Sequence, residues 1–207
     1  MKIAILSDLH ANYEATKLVL ESVEKQNVDK IFVLGDIVGY NFDIKKVIEE
    51  LKKYKDKMEI IKGNHEQMLE DLFLKSIPYD KSKYGNALEK TINEIDTKEI
   101  ISLCSLPEEI YFRIDSLNIL LTHGIPGDNQ KYIYPDHPNS ELSEFNFGDA
   151  NLVCLGNTHH QMLRRIGEKT IINPGSVGQN RSNPSKAEWA TIDSTTEEIT
   201  FHSIRMK

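Results

Sequence analysis

Residues 3–40, IAILSDLHANYEATKLVLESVEKQNVDKIFVLGDIVGY, carry the pattern that decides the fold. IAIL, Ile3–Leu6, is a short continuous apolar run, which is how a strand buried on both faces reads. Ala15, Leu18, Val19 and Val23 then recur on one face of a helix. IFVL, Ile31–Leu34, is a second buried strand. Outward from there, Ile44, Val47, Ile48 and Leu51 repeat the helical spacing, with Asp43 or Asn41 as the cap, and MEII, Met58–Ile61, adds a third strand. The order strand, helix, strand, helix, strand predicts a parallel sheet with right-handed crossovers.

Residues 66–106 read as helical. Glu66–Leu74 form one candidate helix, Leu88, Ile92 and Ile95 mark another, and Asp96 with Glu99 resembles a capping box before Ile100, Ile101 and Leu103. Strands follow at Glu109–Ile114, Leu117–Thr122, Asn151–Leu155, Met162–Ile166, Lys169–Asn173, Glu188–Asp193 and Glu198–Ile204. Asp115-Ser116 and Gly167-Glu168 are tight turns of the hairpin kind, so this half is expected to be a β meander. The expectation is one domain over residues 1–207. Residues 125–150 lack a clear period and exceed an ordinary connection, which marks them as a flap over the site.

The 207 residues are 39% hydrophobic and 28% charged, with a net charge of −7. The acidic balance argues against bulk nucleic-acid binding and against charge-driven attachment to an anionic membrane. No stretch has the apolar length of a membrane span. The opening residues lack the long apolar core and cleavage site of a signal peptide, so a cytoplasmic protein is expected. Cys104 and Cys154 lie far apart outside any CxxC and are expected to be reduced.

The chemistry is positional. Ser7-Asp8-Leu9-His10, Gly35-Asp36, Gly63-Asn64-His65, His123-Gly124, Gly156-Asn157-Thr158-His159 and Pro174-Gly175-Ser176 each follow an apolar strand. Ligands of open α/β sheets bind outside the carboxyl ends of strands, so these clusters are expected to share one rim. Asp8, His10, Asp36, Asn64, His65, His123 and His159 form a carboxylate, imidazole and amide set suited to Mn, Fe, Zn or Mg, with no thiolate in it. Asp8 and His10, two apart, would point to one side of an extended chain. Glycine before Asp36, Asn64 and Asn157 admits a close backbone approach. His160, next to His159, would face away in a strand, and His137 and His202 join no cluster. Tyr132 and Tyr134 in the flap are candidates to stack a nucleobase.

These motifs resemble the calcineurin-like metallophosphoesterase superfamily, whose pattern is D-x-H, G-D, G-N-H-[DE], a lone His, then G-H-x-H. The five motifs occur here in order along nearly the whole chain. LGDIVGY, Leu34–Tyr40, and INPGSVGQNR, Ile172–Arg181, further resemble a small branch of single-domain bacterial and archaeal phosphodiesterases. The resemblance implies an α/β fold, a four-layer α-β-β-α sandwich of two mixed sheets. It implies two divalent metal ions, Mn foremost with Fe, Zn, Ni or Mg as alternatives, that share Asp36 and a bridging hydroxide. By position, Asp8, His10, Asp36 and His159 would hold the first ion. Asp36, Asn64 and His123 would hold the second, and His65 would contact the phosphoryl group and assist the leaving oxygen.

Asn157 departs from the pattern, which places His there as a further ligand of the second ion. Its amide oxygen could ligate, its position could be left to water, or the second ion could be held weakly. The expected function is a metal-dependent phosphodiesterase or a nucleotide or dinucleoside-polyphosphate hydrolase acting on a small phosphorylated substrate. Alternatives are a protein-binding scaffold on the same fold and a phosphomonoesterase or protein phosphatase.

Overall fold

The computed structural model describes residues 1–206, except for the side chain of Lys83. Among the described residues, ten strands form two five-stranded sheets. The first contains β1 (Lys2–Leu6), β2 (Lys30–Val33), β3 (Met58–Ile60), β9 (Lys186–Asp193) and β10 (Glu198–Arg205), in the order β10-β9-β1-β2-β3. The second contains β4 (Glu109–Ile114), β5 (Leu117–Thr122), β6 (Leu152–Cys154), β7 (Gln161–Ile166) and β8 (Lys169–Pro174), in the order β4-β5-β6-β8-β7.

Strands β1, β2 and β3 pair in parallel, as the opening third of the sequence predicts. The crossovers are α1 (Tyr13–Lys25) and α2 (Ile44–Lys52). Asn12 caps α1 by accepting from the Ala15 N–H. Asp43 is the residue before α2, but its carboxylate pairs with Lys46 instead of capping the helix. Then come α3 (Asn64–Leu74), α4 (Lys81–Tyr84), α5 (Ala87–Glu94) and α6 (Thr97–Cys104). Asp96 caps α6 through the Glu99 N–H, while the Glu99 carboxylate bonds Lys52 2.8 Å away instead of closing a capping box.

The second half is not a meander. Turns at 115–116 and 167–168 do give the expected antiparallel hairpins β4–β5 and β7–β8. Yet β5, β6 and β8 pair in parallel, and β9 returns to the first sheet antiparallel to β1. Buried parallel and antiparallel strands have the same apolar composition, so short runs do not reveal which neighbour they choose.

Alternation along each strand builds the layers. Ile3, Ile5, Phe32 and Leu34 turn inward against Ile119, Leu121, Leu152, Cys154 and Ile172 of the second sheet. Ala4, Leu6, Ile31 and Val33 face α1, α2 and the helices after β3. The outer face of the second sheet, Leu120, Val153, Leu155 and Ile171, is covered by Ile133, Leu142 and Phe147. The 125–150 segment, with one short helix α7 (Asn139–Leu142), is therefore the fourth layer, packed by its own apolar residues. Among the described residues, no helix is long and apolar enough to cross a membrane. Cys104 and Cys154 are free thiols.

Candidate metal centre

Loops leaving β1, β2 and β3 of the first sheet and β5 and β6 of the second meet on one rim. They bring Asp8, His10, Asp36, His123 and His159 into burial below 3% exposure. Asp8 with His10 and His159, Asp36 with His10 and His65, and Asp8 with Asp36 and His123 each form a group able to hold a metal ion. Two carboxylates thus serve as hubs for four imidazoles.

The backbone that aims Asp8 and His10 is not extended. β1 ends at Leu6, and Asp8, His10 and Ala11 lie in the left-handed region at φ 56°, 48° and 52°. This corrects the expectation drawn from their spacing. The loop instead continues to pair with the one after β2. Asp8 N donates to Gly35 O at 3.1 Å and His10 N to Asp36 O at 2.8 Å. Such contorted backbone is costly for residues with a Cβ and persists where the surroundings over-determine it. Gly35, at φ 86°, meets Gly63 so closely that a Cβ on it would lie 2.5 Å from the Gly63 nitrogen. This is the close approach expected of the glycines before Asp36 and Asn64.

The imidazoles are oriented from behind. His10 Nδ1 donates to Val38 O at 3.0 Å, His123 Nδ1 to Leu34 O at 2.5 Å and His159 Nδ1 to Gln179 O at 2.6 Å. A carbonyl partner fixes Nδ1 as the protonated nitrogen and leaves Nε2 as the ligating one. All three Nε2 atoms face the hubs. His159 Nε2 is 3.3 Å from Asp8 Oδ1, His123 Nε2 3.4 Å from Asp36 Oδ2, and His10 Nε2 3.8 Å from Asp36 Oδ2. Asn64 Oδ1 lies 3.0 Å from His123 Nε2.

The donor set fits a cation. His10 Nε2 and His159 Nε2 sit 3.1 Å apart with both Nδ1 atoms already donating, so their lone pairs face each other. Asp8 Oδ1 is buried without a hydrogen-bond partner. Buried charges and lone pairs in this arrangement require a positive partner.

The electrostatics point the same way. Burial raises both Asp8 and Asp36, but His159 and His123 beside the first, and His123 and His65 beside the second, outweigh it and hold both carboxyls below their usual range. Burial drives His10 down to about 3 against the pull of Asp36. Burial lowers His123, but the Asp36 and Asp8 charges outweigh it and raise it to about 10, so the carboxylates draw positive charge, a proton or an ion, to its Nε2.

His65 stands at the start of α3, only 6% exposed, with Nδ1 unpartnered and Nε2 3.9 Å from Asp36 Oδ2. Burial lowers its pKa below the ordinary imidazole value. Its own N–H donates to Asp36 Oδ1 at 2.9 Å. Asn157, at φ 69°, donates its backbone N–H to Asp8 Oδ2 at 3.2 Å. Its side-chain Nδ2 donates outward, to Asn129 O at 3.2 Å and Lys131 O at 3.4 Å, both in the 125–150 segment.

The remaining expected residues lie further out. Tyr132 borders a cavity beside Asn64 and His65, whereas Tyr134 stacks behind Tyr132 with ring centres 5.9 Å apart. His160 bonds Ser182 at 2.8 Å, away from the hubs. His137 pairs with Glu141, and His202 bonds Thr191 and stacks on Trp189, so neither is partner-free.

One support escaped the reading of the sequence, and a second was read only as a cluster on the rim. Glu66 is fully buried and accepts four backbone N–H groups, from Asp36 and Gly63 on one oxygen at 2.8 Å and from Ile37 and Val38 on the other at 2.8 and 3.1 Å. Burial and the Asp36 charge push its pKa up to about 7 against those donors. Ser176 and Gly178 both donate to Asp8 O, at 2.8 and 2.9 Å. The position of Pro174-Gly175-Ser176 behind a strand was the available signal for the second support. Glu66 offered only its place in the Gly-Asn-His-Glu motif.

The profile of the calcineurin-like phosphoesterase superfamily domain matches residues 1–197. The chain belongs to this superfamily. The phosphoesterase is 32% identical to an uncharacterized protein of Methanocaldococcus jannaschii, over 92% of this chain and 82% of that one. It is 24% identical to a phosphodiesterase of the same organism, over 84% of this chain and 83% of that one. A crystal structure of a metallophosphoesterase from Sphaerobacter thermophilus superposes with a TM-score of 0.80 at 27% identity, covering 100% of this chain and 90% of that one. A phosphoesterase is a hydrolase, and the family's metal dependence accords with the Asp and His groups gathered on the rim.

Proposed function

We propose that this phosphoesterase is a metal-dependent phosphodiesterase of the nucleotide-hydrolysing kind. The observation that carries the reading is the pair of buried carboxylates faced by Nε2 atoms whose Nδ1 partners are backbone carbonyls. Asp8, His10, Asp36 and His159 would hold one divalent ion, and Asp36, Asn64 and His123 a second, with Asp36 shared. The mixed oxygen and nitrogen set favours Mn among the family's metals. When bound, the ions would activate water and neutralise charge on the phosphoryl oxygens.

The chain's own groups supply the rest. His65 presents an unpartnered nitrogen at the rim, and the negative charge of a phosphoryl group would raise its pKa toward donation to the leaving oxygen. The first turn of α3, where Asn64 and His65 sit, adds the positive end of a helix dipole. Asn157 has committed its nitrogen to the 125–150 segment, so its amide oxygen is the atom left for the second ion. An amide oxygen binds such an ion less firmly than imidazole would, and the second ion is accordingly the weaker. The same bonds hold the 125–150 segment, including Tyr132, as a flap beside the centre. The phosphodiesterase relative supports a diester as the substrate class.

The deciding experiment is hydrolysis of bis-p-nitrophenyl phosphate by the Mn-loaded chain. Turnover is expected, and both a chelator and Asp36→Ala should abolish it. Turnover indifferent to either one would sink the reading.

A further inference from the structure

The loop between β8 and β9 walls a cleft of about 530 Å³. Its volume lies in the range of small-molecule sites. The walls are tied to the metal ligands. Gly178 N donates to Asp8 O at 2.9 Å, Gln179 O accepts from His159 Nδ1 at 2.6 Å, and Asn41 Nδ2 donates to His10 O at 2.9 Å. Asn12 Nδ2 donates to Gly178 O at 2.9 Å. The cleft therefore adjoins the centre and is built on the same loops.

Its free groups are donors. Arg181 lines it, and among the described residues no Asp or Glu does. Asn180 is buried, and its Oδ1 accepts from the Asn183 N–H at 2.7 Å. That bond leaves the Asn180 NH2 as the free end, and Nδ2 has no partner. A buried donor left unpaired is costly, so this one calls for an acceptor. Gln179 Oε1 is unpartnered too, and a side-chain amide can turn about one bond to present its NH2 instead. Burial raises the Tyr40 and Tyr132 hydroxyls, and the Arg181 charge draws both back, with Arg181 in hydrogen-bonding reach of Tyr40. The Tyr40 ring in turn lies against His10 and His65, with ring centres 4.7 and 4.9 Å apart. One tyrosine side chain thus spans from Arg181 to two imidazoles of the centre.

We propose that this cleft seats a second phosphate group of the substrate, held by Arg181 and Asn180 beside the phosphate undergoing hydrolysis. The assignment rests on the phosphodiesterase reading above and adds a charged group to its substrate. A guanidinium offers paired N–H donors that match two phosphate oxygens, and the Asn180 NH2 supplies another donor. The occupant is tethered instead of free. A free anion would have to approach a chain of net charge −7. A phosphate joined to one already on the metal ions arrives at high effective concentration. Arg181 is set one tyrosine away from the ligands, which suits the neighbouring phosphate and not the reacting one.

Calorimetric titration of the Mn-loaded full chain with adenosine 5′-monophosphate, the non-hydrolysable α,β-methylene analogue of adenosine 5′-diphosphate, and inorganic phosphate tests this. At equal free Mn the diphosphate analogue should bind about tenfold more tightly than the monophosphate, the factor expected of a charge-assisted hydrogen bond. Arg181→Gln should erase that advantage, and Arg181→Lys should keep part of it. Asn180→Asp, which retains the oxygen used by Asn183 N, should erase it as well. Equal binding of the two nucleotides by the native chain overturns the assignment. So does a native-sized advantage in Arg181→Gln or Asn180→Asp, because the ions alone then account for it. Inorganic phosphate filling a second site per chain, lost in Arg181→Gln, without any diphosphate advantage gives the cleft to a free anion and also overturns it. Hydrolysis of bis-p-nitrophenyl phosphate by the native chain is read separately. If hydrolysis persists without a diphosphate advantage, only the cleft assignment falls. If hydrolysis is absent, the reading beneath falls and the assignment with it.

Discussion

Glu66 ties the loop after β2 to the loop after β3 with a single side chain, since the Asp36 and Gly63 N–H groups share one of its oxygens. Glu66→Gln keeps the shape but turns an NH2 group toward backbone donors. Leaving buried donors unpaired costs about 1–3 kcal/mol each. The expected outcome is a loss of about 2–3 kcal/mol in urea unfolding together with fewer retained metal ions by mass spectrometry. Unchanged metal content would show that Glu66 supports the fold and not the centre. Asn157 yields the opposite forecast. Asn157→His should retain the second ion more tightly at limiting Mn and release the Asn129 and Lys131 carbonyls, seen as faster hydrogen exchange in the flap. Equal ion retention by the two proteins would refute the proposal that the native second ion is weak. At this scale the sequence was most legible where a residue type has few other uses, as with Asp8, His10 and His123 behind strands. Glu66 was not legible as a support, because an isolated Glu is common on any surface and only tertiary contact gives it a partner.

Each site loop begins where a strand ends, and the local conformation follows from packing against the next loop. The periodicity of residues 3–61 revealed β1, α1, β2, α2 and β3 because helical and strand periods differ. It could not reveal the left-handed turn at Asp8 and His10, which contacts from Gly35 and Asp36 impose. The loop after β2 shows how closely such elements fit. Gly39 sits at φ 92°, and a Cβ there would collide with the His65 ring. Gly39→Ala should cost roughly 1–2 kcal/mol from the left-handed backbone. Its larger effect should fall on turnover, because displacement of a reacting group by about 1 Å costs about a hundredfold. Steady-state hydrolysis at matched metal content would check this, and native turnover would show that this loop does not place His65.

The centre lies across the seam between the two sheets. Asp8, Asp36 and Asn64 leave the first sheet, and His123, Asn157 and His159 leave the second. An ion bound there would therefore add to the links between the halves, which include apolar contacts such as Phe32 on Phe112, whose ring centres lie 5.1 Å apart, and the His123–Leu34 and Asn157–Asp8 hydrogen bonds. Metal at a hundredfold excess over Kd should stabilise the fold by about 2.7 kcal/mol. Thermal unfolding with and without chelator measures it, and coincident transitions would place the ions elsewhere or nowhere. The two-sheet architecture could be reached from the sequence through the motif order, whereas the pairing of β9 with β1 could not. That pairing joins residues 191 positions apart, Lys2 with Asp193, and no local signal records it. It also governs how the molecule comes into being on a ribosome. β1 emerges before the other described strands, but its neighbour β9 and the Ser176 and Gly178 donors to Asp8 emerge only after β8. A growing chain therefore carries the Asp8 and His10 loop through the synthesis of β2 to β8 without the Ser176 and Gly178 bonds that complete its hold. A product terminated before Ser176 lacks those bonds to Asp8, and it is expected to be inert instead of partly active.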